Sequence, residues 1–106
     1  MRLHDIAHAR AGDKGTIVNI AVIARREHDF PLIQRVLTAE RVRAYLAGLV
    51  EATVVRYDLP RIGALNFVLS RPPGHSVTRT LALDAHGKSL SSALLDMEIP
   101  DDDAAS

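Results

Sequence analysis

The chain has no cysteine. That excludes disulfides, thiolate zinc sites, iron–sulfur clusters and cysteine nucleophiles at once, and it fits a reducing, cytoplasmic setting. It has no tryptophan, and only two Phe and two Tyr, so its core must be aliphatic. It lacks net charge: thirteen basic residues cancel thirteen acidic ones. Neutrality gives no electrostatic case for nucleic acid or an anionic membrane as a partner. No stretch approaches the ~20 apolar residues that span a bilayer, and the opening "MRLHDIAHARAGDKG" has no signal-peptide core. No internal repeat and no low-complexity stretch is present.

What is there is an ordinary globular composition. The apolar fraction is 47% over 106 residues, enough for one domain with a real core. Residues 1–99 read as that single domain and 100–106, an acidic run, as a frayed tail.

Residues 2–10, "RLHDIAHAR", alternate as a first strand. Residues 16–24, "TIVNIAVIA", are β-branched and apolar on both parities, which predicts a central strand covered on both faces. Between them lie Gly12, Asp13, Lys14 and Gly15. Glycine adopts positive φ at little cost, so a hairpin loop holding both glycines is expected. Asp29 before Phe30-Pro31 predicts a capped short helix. "LTAERVRAYLAGL" is the clearest helix, with Thr38 as N-cap and Val42, Tyr45, Leu46 and Leu49 as its apolar stripe. "EATVVRYDL" predicts a strand stopped by Pro60. "RIGALNFVLS" suits either element, and helix is favoured. "RPPGH" predicts a loop and "SVTRTLALD" a strand; in "SLSSALLDM", Leu90, Leu94 and Met97 lie at helical spacing, with a hairpin partner strand as the alternative. The sum is α+β: a small, mainly antiparallel sheet with helices on one face. A ferredoxin-like sandwich leads.

Familiar catalytic patterns are missing. "HDIAH" echoes the zinc-binding H-E-x-x-H helix motif, but on a strand His4 and His8 would sit roughly 13 Å apart, too far for one ion. No metal and no cofactor is expected. No serine sits in a nucleophile-elbow setting. The best candidate for chemistry is the Gly12–Gly15 loop. Its amides would form an anion-binding nest, with Arg10 and Lys14 adding charge and Asp13 orienting Lys14. The sequence matches neither glycine-rich nucleotide motif, so a plain turn is the simpler reading. Asn19 and Asn66 interrupt apolar runs and read as buried amides that tie down a neighbouring loop or reach a ligand.

The combination of "HARAGDKGTIVNIAVIAR", "LTAERVRAYL", "VVRYDLPRIGALNFVL" and "LALDAHGKSLSSALLDMEI" resembles the C-terminal ferredoxin-like domain of AtuA-like proteins, linked with acyclic terpene utilisation. The resemblance runs from about residue 3 to residue 99. It implies a ferredoxin-like domain that usually follows a much larger N-terminal domain, here met as a stand-alone chain. The family's context is branched or terpenoid acyl-CoA catabolism, and it assigns no catalytic residue. "RPPGH" departs from the more glycine-rich loop usual in the family.

Two functional expectations follow. The first is an accessory or interaction domain, not catalytic alone, that joins a larger AtuA-like partner or a second copy of itself. The second is a small acyl-CoA- or carboxylate-binding protein or enzyme. Its candidate site residues are Arg10, Gly12, Asp13, Lys14, Gly15, Asn19 and Asn66.

Overall fold

A computed structural model describes residues 1–14, 17–48, 51–70 and 88–100. Strands β1 (Ala7–Lys14) and β2 (Ile17–Ala24) open the fold as a hairpin. Helices α1 (Phe30–Val36) and α2 (Ala39–Leu46) follow. A second hairpin, β3 (Thr53–Leu59) and β4 (Ala64–Ser70), turns through Pro60–Ile62. Helix α3 (Lys88–Leu95) closes the described elements. The sheet order is β1-β2-β4-β3, and every pairing is antiparallel.

The alternation of side chains builds the core. Val18, Ile20 and Val22 of β2 and Leu65, Phe67 and Leu69 of β4 are all buried on one side of the sheet. Against them lie Ile33 and Val36 of α1, Val42 and Leu46 of α2, and Leu90 and Leu94 of α3. The three helices therefore share one face, as expected. The chain's first residues close that layer: Leu3 is fully buried, its N–H donates to the Met97 carbonyl at 2.9 Å, and Ile99 N–H donates to the Met1 carbonyl at 2.8 Å.

Several expectations need correction. Residues 64–70 form a central strand, not a helix. From Leu65 to Ser70 the run alternates between buried and half-buried residues, and its neighbours β2 and β3 supply backbone partners that a helix would not need. The first strand starts at Ala7, because residues 3–5 form a single 3-10 turn in which Asp5 Oδ2 accepts from the Arg2 N–H at 2.9 Å. Asp29 does not cap α1 with its side chain, while Pro31 does sit in the first turn. Thr38 caps α2 as expected, its Oγ1 accepting from the Arg41 N–H at 3.1 Å. Tyr45 is exposed rather than part of the buried stripe, which narrows to Val42 and Leu46. The expected strand at "SVTRTLALD", the "RPPGH" loop, Leu49 and the acidic tail lie outside the described residues.

Candidate functional site

One face of the sheet carries the helices. The other is open among the described residues, and the strand register states what it displays. Arg10 pairs with Ala21, Ala21 with Asn66, and Asn66 with Tyr57. The next row is Gly12, Asn19, Val68 and Val55. His8, Ile23 and Leu59 lie in the row at the far end, where Ala64 between Ile23 and Leu59 is buried. Ile17, Ser70 and Thr53 continue the face at the hairpin end.

Arg10, Asn19 and Asn66, far apart in sequence, therefore meet on one surface. With strands ~4.8 Å apart, Arg10 and Asn66 stand about 10 Å from one another across Ala21. Arg10 and Asn19 are exposed and Asn66 is half-buried. The expectation that both amides are buried is thus overturned. Each sits on the outward parity of an apolar strand, so the apolar run misled: only its inward half is core.

The expected loop is overturned too. Gly12, Asp13 and Lys14 belong to β1, pairing with Asn19, Val18 and Ile17 in turn. Extended backbone points successive amides to opposite sides, so these residues do not make a nest. Gly12 does not adopt positive φ, and a Cβ there would meet nothing within 4 Å. Gly15 lies outside the described residues.

Besides Arg10, the amides, His8 and the hydroxyls of Thr53 and Ser70, the open face is apolar. Tyr57 is 54% exposed, Val55 48%, Leu59 42% and Ile17 40%. Three of these four lie on β3, an edge strand of the sheet as described. Its inward side is quite different. Arg56 Nη1 donates to the carbonyls of Gln34 at 2.7 Å and Leu37 at 3.0 Å. Its Nε lies 2.8 Å from Asp58 Oδ1, and Nη2 donates to Asp58 Oδ2 at 3.2 Å. Gln34 Nε2 donates to the same Oδ2 at 2.9 Å. This bidentate pair caps the end of α1, where carbonyls lack helical partners. Sequence reasoning missed it. A charged pair two apart on a strand, facing the end of a helix, was the only signal.

The histidines give no cluster. His4 sits in the first turn, its Nδ1 3.5 Å from Asp5 Oδ1, and His8 is on β1. Among the described residues no three His, Asp or Glu side chains are grouped to hold a metal ion. No helix among them is long and apolar enough to cross a membrane.

A four-stranded antiparallel sheet, backed by helices on one side and open on the other, defines an α+β open-faced sandwich of the ferredoxin-like type. Comparison with family models makes this specific. Residues 1–100 match the AtuA ferredoxin-like domain, and the chain belongs to that family. Comparisons with curated proteins and with solved structures gave no match.

Proposed function

We propose that this protein is an accessory domain that docks onto a larger AtuA-like partner through the open face of its sheet. The observation that carries the reading is the exposed apolar row Val55, Tyr57 and Leu59 beside Arg10, Asn19 and Asn66. A sheet face of four strands and about eight residues measures roughly 20 by 25 Å, or about 500 Å². Covering it from both sides would bury about 1,000 Å², the lower bound for a specific interface. Exposed aromatic and aliphatic side chains ringed by amides and a guanidinium match the composition of such interfaces. The context of the reading is branched or terpenoid acyl-CoA catabolism, in which the larger domain would hold the chemistry. A second copy of the chain is the other occupant that the same face would accept.

The test is co-expression with an AtuA-like large domain, followed by size-exclusion chromatography with light scattering. A complex of defined stoichiometry that Tyr57→Asp abolishes is the expected result. A self-dimer lost in the same variant assigns the face to a second copy. A monomer that ignores the large domain at micromolar concentration overturns the reading.

A further inference from the structure

A cleft lies at the end of the sheet, where β2 leaves it and the Pro60–Ile62 turn folds over. It has a volume of about 330 Å³ and is lined by Ala24, Arg25, Glu27, Phe30, Pro60, Arg61, Ile62 and Gly63. That volume is at the small end of ligand-binding cavities. None of these residues belongs to the candidate set on the open face.

Its walls divide by chemistry. Phe30, Pro60, Ile62 and Ala24 are apolar, and Ile62 stands 66% exposed. Among the described residues nothing covers this apolar edge of the cleft. Opposite in character are two guanidinium groups. Arg25 is held at one point, its Nε donating to the His4 carbonyl at 3.1 Å. That bond ties the guanidinium to the first turn. Among the described residues, the terminal N–H groups of Arg25, the Arg61 guanidinium and the Glu27 carboxylate take no hydrogen-bond or ion-pair partner. Glu27 lines the cleft without pairing with either arginine. Two cations and one anion leave a net charge of one positive.

We infer that this cleft binds a small monocarboxylic acid, its carboxylate held by the Arg25 and Arg61 forks and its alkyl chain against Phe30, Pro60 and Ile62. A guanidinium fork matches a carboxylate bidentately, and its planar donors lose little freedom for each bond formed. One net positive charge balances a monoanion and leaves a dianionic phosphate overcharged beside Glu27. The apolar wall requires an alkyl chain of a few carbons rather than a bare ion.

The test uses the whole chain and three probes: hexanoate, hexanol and inorganic phosphate, titrated while amide resonances are followed by NMR. Hexanoate should saturate at roughly millimolar concentration, as fits a ligand of about eight heavy atoms, and shift amides of residues 24–30 and 60–63. Hexanol and phosphate should each bind at least tenfold more weakly. Arg61→Gln should weaken hexanoate at least tenfold with an unchanged melting temperature, Arg61→Lys should lose part of that, and Arg43→Gln on α2 should change nothing. Hexanol binding as well as hexanoate, phosphate binding as well, no saturation, or an unaffected Arg61→Gln each overturns the assignment. These outcomes are independent of whether the open face docks a partner.

Discussion

At the scale of single residues, the Arg56 guanidinium takes part in four contacts, two with backbone carbonyls and two with the Asp58 carboxylate. It joins two parts of the chain: the Gln34 and Leu37 carbonyls at the end of α1, and Asp58 on its own strand, whose carboxylate also accepts from the Gln34 side chain. Its side chain is only about a quarter exposed, so solvent replaces these bonds poorly. Arg56→Met keeps the stem and removes every bond. It should destabilise by about 2–3 kcal/mol in urea unfolding, the range for hydrogen bonds to a charged group. Asp58→Asn keeps the two carbonyl bonds and should cost no more than about 1 kcal/mol, since that carboxylate is partly solvated. Equal costs for the two would show that the ion pair, rather than the carbonyl cap, holds α1 to β3.

Turns and caps belong to the scale of the element, and two glycines there should behave oppositely. Gly63 ends the Pro60–Ile62 turn at φ 62° and ψ 42°, the left-handed region, and its carbonyl accepts from Ala24 N–H at 2.9 Å. A Cβ at Gly63 would have ordinary space, 3.9 Å from the Ala24 Cβ, so the cost of Gly63→Ala is conformational. It should be about 1 kcal/mol, with Gly63→Asn milder. Gly12 is extended in β1 with open space where a Cβ would go. Gly12→Ala should be neutral or stabilise by up to about 0.5–1 kcal/mol, by restricting the unfolded chain. Thermal unfolding of the pair measures both. At α2, Thr38→Ala removes the bond from the Arg41 N–H and should cost about 1 kcal/mol, while Thr38→Ser should cost almost nothing.

The whole molecule is a two-layer object whose sheet has one covered face and one uncovered among the described residues. The edge strand β3 shows how the two sides divide the work. Inward, its Arg56–Asp58 pair discourages another strand from adding to the edge, because a neighbour would have to accommodate buried charge. Outward, Val55, Tyr57 and Leu59 invite a surface. Association is therefore expected over the face and not along the edge. The double variant Val55→Asp/Tyr57→Asp should leave the unfolding midpoint within about 0.5 kcal/mol of the parent, since both side chains are exposed, yet abolish assembly in sedimentation velocity. An assembly that survives would move the interface elsewhere.

The fold class, the helix at residues 39–46 with its Thr38 cap, the strand at 53–59 and the spacing of Leu90 and Leu94 were legible in the sequence by itself. Each rests on local physics: a cap, a period, a β-branched run. Residues 64–70 were not legible, because a short apolar run suits either element until β2 and β3 supply its backbone partners. Gly12, Asp13 and Lys14 read as a loop from their residue types, yet pairing with β2 draws them into a strand. Asn19 and Asn66 were singled out as polar breaks in apolar runs and Arg10 as a charge beside the glycines, but only register could say that they face the same way. A shift of one residue would have buried them and exposed Val18, Ile20 and Val22 instead. The cleft between Arg25 and Arg61 left no local trace at all, since it joins the end of β2 to a turn more than thirty residues later. Periodicity and caps act over a few residues and so are written in order along the chain. Faces, edges and clefts arise from pairings between distant segments, and only the tertiary structure decides them.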